Sequence, residues 1–229
     1  MEHMKRLEAL MARLRARKGC PWDRRQTHKS LKPYLLEEAH EVLEAIDSRD
    51  PRHLKEELGD LLLQVVFHAR IAEEKGHFDL ADVAATISDK LERRHPHVFG
   101  KTRIRTIGQL KRKWEELKRA EMPHRKSVFD GLPKTLPSLL RAQRVHEKIT
   151  RKESPYSDGR LEKGLARAWA GYRSARKTGR KGALEKAVGE LLLAIARLSQ
   201  SDGVHTEMAL ARALSLYEKQ YRLKERSKG

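Results

Sequence analysis

The sequence predicts an all-α protein of about eight helices, arranged as two tandem helical-bundle repeats. Apolar residues recur at helical spacing along nearly the whole chain. The alternating Val, Ile, Thr and aromatic runs that mark strands are almost absent, and aromatics make up only 5% of the residues. The segment Leu58-Gly59-Asp60-Leu61-Leu62-Leu63 returns as Val188-Gly189-Glu190-Leu191-Leu192-Leu193. Helix order and spacing around the two copies match as well, which points to duplication.

Each element has a local reason. The first helix is predicted over 3–17 and stops before Gly19-Cys20-Pro21, where a loop carrying Trp22 and Asp23 follows. The second is predicted over 31–47, with Pro33 tolerable in its first turn. Asp50-Pro51 supplies an N-cap and a first-turn proline for a helix over 51–75, which Gly76 ends. Asp79 caps a helix over 80–94, which closes before Pro96. Thr106-x-x-Gln109 reads as a capping box for a helix reaching about 121. Pro123, Gly131, Pro133 and Pro137 then punctuate the chain, so the domains are read as 1–125 and 126–229. Helices at 136–150, 160–177, 182–200 and 205–223 complete the second repeat.

Composition removes several function classes. No run of ~18 apolar residues exists, so no membrane-spanning helix is expected. The charged start MEHMKRLEAL does not resemble a secretory signal. Cys20 is the only cysteine, which excludes an intrachain disulfide and a cysteine zinc site, and a cytoplasmic location is the natural expectation. The net charge of +18 is uneven: residues 1–125 hold 27 basic against 21 acidic side chains, and residues 126–229 hold 23 against 11. A basic surface attracts phosphate, free or polymeric, without naming a reaction.

The acids are fewer but clustered. One helix carries Glu37, Glu38 and Glu41, and the next carries Glu57 and Asp60. Residues three apart share a helix face. A short connection makes the helices antiparallel neighbours. Glu41 and Glu57 then stand ~9 and ~10 Å from the turn, and Glu38 and Asp60 ~14 and ~15 Å from it. Leu35, Leu36, Val42, Leu43, Leu58, Leu61, Leu62 and Val65 surround them, so the acids border an apolar seam. Ionised carboxylates share such a seam only with protons or a cation between them. An all-oxygen set suits Mg²⁺ or Mn²⁺.

E-E-x-x-E followed by E-x-x-D resembles the signature of the all-α nucleoside triphosphate pyrophosphohydrolases. The surroundings are similar to the MazG branch: Gly19-Cys20-Pro21-Trp22-Asp23 upstream, Glu57-Leu58-Gly59-Asp60-Leu61-Leu62 at the second pair, and Asp89-Lys90-Leu91-Glu92-Arg93-Arg94-His95-Pro96-His97-Val98-Phe99 downstream. The likeness is strong over about 5–125 and weaker beyond. It implies Mg²⁺-dependent hydrolysis of nucleoside triphosphates to monophosphate and pyrophosphate, with broad base specificity. It also implies that Glu38, Glu41, Glu57 and Asp60 hold the metal and that Glu37 supports them by hydrogen bonding. Glu38 is the favoured acceptor of the water's proton.

The phosphate candidates are Lys90, Arg93 and Arg94, although Arg93 and Arg94 also complement the dipole at the end of their helix. Trp114, in a segment similar to the family's base-stacking one, and Trp22 are the stacking candidates. His95-Pro96-His97 reads as a structured loop. Glu37-x-x-His40 is half of a di-iron motif whose second half is missing.

At an offset of 130, Asp60 maps to Glu190 and Glu57 to Ala187, and Gly164–Tyr172, opposite E-E-x-x-E, contains no acid. The second repeat therefore departs from the two-domain family pattern and reads as a degenerate copy, serving dimerisation or phosphate attraction. A homodimer is expected. The competing reading is a basic helical nucleic-acid-binding protein without catalysis, which explains the charge but not the paired carboxylates.

Overall fold

The computed structural model describes residues 2–121, 126–153 and 158–227, without the side chains of 111, 115, 119, 120, 153 and 158. Among the described residues the chain is all-helical, with ten helices. It divides into two compact units, Met1–Glu121 and Met122–Gly229. Among the described residues no helix is long and apolar enough to cross a membrane.

The first unit holds α1 (Glu2–Arg15), α2 (Pro21–Arg25), α3 (Lys32–Ser48), α4 (Pro51–Glu73), α5 (Leu80–Arg94) and α6 (Ile107–Ala120). The short α2 occupies what the sequence reads as a loop. Pro21 pre-sets its first turn, and the Arg15 guanidinium bonds the carbonyls of Asp23 and Gln26 at its end. The turn before it needs Gly19, because a Cβ there would lie 2.1 Å from the Leu14 carbonyl oxygen. Asp50 caps α4 by accepting from the Arg52 N–H at 2.9 Å, as its position predicts. Asp79 and Asp82 cap α5 reciprocally.

The core of this unit is Met11, Leu31, Val66, Phe67 and Ile71, flanked by Leu7, Leu63 and Leu80. It joins α1, the entry to α3, one face of α4 and the start of α5. Arg15 pins the far end of α1 to α4: it pairs with Glu74 at 2.7 Å and lies 5.3 Å over the Phe67 ring. That guanidinium, with Arg70, holds the Glu74 carboxyl below its ordinary range.

The second unit holds α7 (Ser138–Glu153), α8 (Asp158–Thr178), α9 (Lys181–Ser201) and α10 (Thr206–Arg226). Its helix pair repeats α3–α4 at an offset of 130. Helix ends Ser48 and Thr178, left-handed residues Arg49 (φ 58°) and Gly179 (φ 66°), and helix starts Pro51 and Lys181 all correspond. The two-residue turns fold α4 back on α3 and α9 back on α8. Buried Leu161 likewise stands where Leu31 does. Where the first unit relies on large apolar side chains, the second inserts a polar clamp: buried Gln143 on α7 donates to the Val204 carbonyl at 2.7 Å and accepts from the Thr206 N–H at 3.0 Å, fixing the start of α10.

Candidate metal centre

The centre is built on the α3–α4 pair. Val42 and Ala45 on α3 and Val66, Phe67 and Ala69 on α4 are buried, so the two helices are locked by one face each. Glu38, one helical turn before Val42, and Glu41, one turn before Ala45, are then presented beside the seam. Oxygens of Glu38, Glu41 and Glu57 all lie within 4.8 Å of one another. Asp60 stands next to this trio, close enough for its charge to act on Glu38. Glu37 is exposed and, among the described residues, makes no hydrogen bond to the trio.

The electrostatics of the cluster suit a cation. Burial, and then the Asp60 and Glu41 carboxylates, push the pKa of Glu38 above its ordinary value, against a lowering hydrogen bond from Gln64 Nε2 at 3.3 Å. The Gln64 Oε1 beside it is buried and has no hydrogen-bond partner among the described residues. An acceptor awaiting a donor next to three clustered carboxylates suits a hydrated divalent ion, and the all-oxygen donor set suits a hard one.

Two neighbours are not visible to motif reasoning. His53 Nε2 lies 3.2 Å from Glu57, one turn away on α4. Together with Glu57, Asp60, Gln64 and His68, it forms a polar ladder along one stripe of a largely apolar helix. His68 meets His28 from the loop before α3, with the Nδ1 atoms 2.8 Å apart and the rings stacked. Burial, and then His28, lower the pKa of His68. The spacing of three and four from His53 to His68 is the signal that could have revealed the ladder.

The phosphate and base candidates fall in different surroundings. Arg93 and Arg94 both bond Glu121 at the end of α6, with Arg93 Nε at 2.8 Å and Arg94 Nε at 3.1 Å from its carboxylate. These bonds, Arg94 first, push Glu121 down to about 2. Lys90 forms no ion pair among the described residues and is half-buried one turn earlier on α5. Trp114 packs edge-on to His95, with ring centroids 5.6 Å apart and Lys118 Nζ 5.2 Å from its ring. The indole N–H of Trp114 is buried without a hydrogen-bond partner among the described residues. Trp22 is half-exposed and packs edge-on against Tyr34 in the first turn of α3, 5.7 Å between centroids. In the second unit Glu190 is exposed and lies 3.9 Å from Lys186, while Ala187 is buried where Glu57 stands in the first.

Comparison with known proteins shows the family. Residues 26–99, the span holding all five acids, match the family described as the MazG nucleotide pyrophosphohydrolase domain. A protein of Escherichia coli named nucleoside triphosphate pyrophosphohydrolase is 37% identical over 234 aligned positions, covering 99% of this chain and 88% of that one. Thermotoga maritima has a nucleoside triphosphate pyrophosphohydrolase/pyrophosphatase MazG that is 41% identical, covering 96% and 84%. A crystal structure of a mazG-related protein from Thermotoga maritima covers 50% of this chain and 98% of its own, at 28% identity and a TM-score of 0.43. The chain therefore belongs to the MazG nucleotide pyrophosphohydrolase family.

Proposed function

We propose that the chain hydrolyses nucleoside triphosphates to monophosphate and pyrophosphate, with catalysis confined to the first unit, and that it serves nucleotide-pool housekeeping. The observation that carries this reading is the Glu38–Glu41–Glu57 trio with its oxygens within 4.8 Å, beside Asp60. These four would hold Mg²⁺, with Mn²⁺ as a substitute. Such an ion supplies charge neutralisation for the triphosphate and lowers the pKa of water.

The chain's own residues do the rest. Gln64 steadies Glu38, and Glu38 takes the proton of the attacking water. The water oxygen bonds to phosphorus as the α–β anhydride bond breaks, and pyrophosphate leaves with the bonding electrons. Glu37 would support these ligands by hydrogen bonding once the metal and its waters are bound. Lys90 is the phosphate contact best placed to act without giving up an ion pair, whereas Arg93 and Arg94 would have to share theirs with Glu121. Trp22 beside Tyr34, and Trp114, offer faces or edges that read no base identity, in keeping with a broad substrate range.

A homodimer is part of the reading. Leu36, Leu43, Leu58, Leu62 and Val65 on α3 and α4 are exposed, flanking the acids. A second copy covering that face would bury apolar surface and narrow the centre's access to water.

The test is a panel of triphosphates with Mg²⁺, with monophosphate, diphosphate, orthophosphate and pyrophosphate separated. Monophosphate with pyrophosphate is the expected pair, lost in EDTA. Diphosphate with orthophosphate as primary products would refute the assignment.

A further inference from the structure

In the second unit, the α8–α9 pair encloses a cleft of about 400 Å³, lined among others by Arg160, Arg167 and Ala168 on α8 and by Glu190, Ala194 and Arg197 on α9. The size falls in the ordinary range of small-molecule sites, ~300–1,000 Å³. At the offset of 130 it is the counterpart of the carboxylate seam. Ala168 stands for Glu38, Glu190 for Asp60, Ala194 for Gln64 and Arg167 for Glu37. Arg160 and Arg197 replace Ser30 and Phe67.

The exchange inverts the chemistry. The first unit places acids and an amide where they repel an anion until a cation intervenes. The second removes those side chains, leaves the room open with two alanines, and lines it, among the described residues, with three arginines and one glutamate. A lone Glu190 cannot ligate a divalent ion in the family's manner. Guanidinium forks match phosphate oxygens directly and need no metal. The surrounding chain, 23 basic residues against 11 acidic, raises the local concentration of such anions.

We propose that the α8–α9 cleft is a metal-independent binding site for a small phosphate-bearing anion, held by Arg160, Arg167 and Arg197. Two sources share that chemistry: free inorganic pyrophosphate, and the phosphate of a nucleotide. This goes beyond the proposed reaction, because the cleft contains none of the residues that the reaction uses.

The experiment is calorimetric titration of the full chain in EDTA, where the acidic seam of the first unit disfavours anions. Pyrophosphate, a nucleoside monophosphate and orthophosphate are titrated separately. At least one should bind near one per chain and weaken at least tenfold in Arg167→Gln and in Arg160→Gln. Both side chains are on exposed helix surface, so circular dichroism should find both variants folded. Pyrophosphate binding more tightly assigns the free anion, and the monophosphate binding more tightly assigns a nucleotide. Mg²⁺-dependent turnover at saturating triphosphate should persist in both variants, so a failure of this inference is read apart from a failure of the proposed reaction. The inference is overturned if none of the three anions binds, or if neither variant weakens binding. It is also overturned if the variants weaken only duplex DNA binding, which would make the cleft part of a polyanion surface.

Discussion

The α3–α4 and α8–α9 pairs share one backbone plan and opposite chemistry. Helix ends, left-handed turn residues and helix starts correspond at a single offset, yet one pair gathers carboxylates and the other gathers guanidiniums. The difference teaches that the fold and the site are separable here. The packing face, Leu31 and its counterpart Leu161, is retained because it buries apolar surface in both units. The stripe beside it changes from acids and an amide to alanines, arginines and one glutamate, while the turn between the helices keeps its place.

The largest expected effect breaks the comparison at its chemical end. Glu38→Gln, Glu41→Gln and Glu57→Gln should each lower Mg²⁺-dependent turnover by about a hundredfold or more, since each removes a ligand or the proton acceptor. They should melt no lower than the parent in EDTA, because each relieves repulsion among like charges. Glu190→Gln should leave turnover nearly unchanged. Steady-state kinetics with pyrophosphate detection checks all four. A folded Glu190→Gln variant as inactive as Glu57→Gln would place chemistry in the second unit.

A smaller effect separates the ways the units tie their last helices. In the second, the neutral Gln143 clamp fixes the start of α10. In the first, the end of α5 is tied to α6 through the charged Glu121. Because Glu121 is held at about 2, below its ordinary 4.5, its contribution to stability is fully present above pH 4.5 and is lost as pH falls through about 2. Glu121→Gln should therefore melt lower than the parent at pH 7, with the gap closing between pH 4.5 and 2. Gln143→Ala should lower the melting temperature by an amount that does not follow that window. Thermal melts across pH read both. An equal gap for Glu121→Gln at pH 7 and pH 2 would show that the ion pair is not what ties α5.

Most of the fold was legible because its signals are local. Asp50-Pro51, Gly76 and Asp79 announce helix ends by side-chain chemistry that works within one turn. The short α2 was not, because its reason is partly distant: Arg15 reaches across to the carbonyls of Asp23 and Gln26. In the site, Glu41 and Glu57 were legible because helix rise levels them across a short turn, and Glu38 because it lies three residues from Glu41 on the same face. Gln64 and His53 were not, because neither belongs to the paired-acid pattern, and their meaning comes only from what they touch. Arg93 and Arg94 read as phosphate contacts and as complements of the helix dipole; their carboxylate partner Glu121, 28 and 27 residues away in sequence, emerges only in the fold.

The smallest effect lies in the two turns themselves, each of which holds half of a favourable design. The first unit has a working cap, Asp50 accepting from Arg52 N–H at 2.9 Å, but places Arg49 at φ 58°, where a Cβ is strained. The second places Gly179 at φ 66°, which needs no such strain, but its cap position is Arg180, which makes no side-chain cap bond. Arg180 also sets a positive charge at a helix start, against the dipole. Each unit therefore supplies the substitution that the other lacks. Arg49→Gly should raise the stability of the first unit by about 1 kcal/mol, with relieved left-handed strain exceeding the added freedom of the unfolded chain. Arg180→Asp should raise that of the second by about 1 kcal/mol through a new cap and a favourable dipole. The two changes lie in different units, so their effects should add within ~0.5 kcal/mol in the double variant. Urea denaturation followed by a probe in each unit, Trp22 in the first and Trp169 in the second after removal of the other tryptophans, would measure both. Arg49→Gly destabilising the first unit would mean that the Arg49 side chain contributes more than its backbone conformation costs.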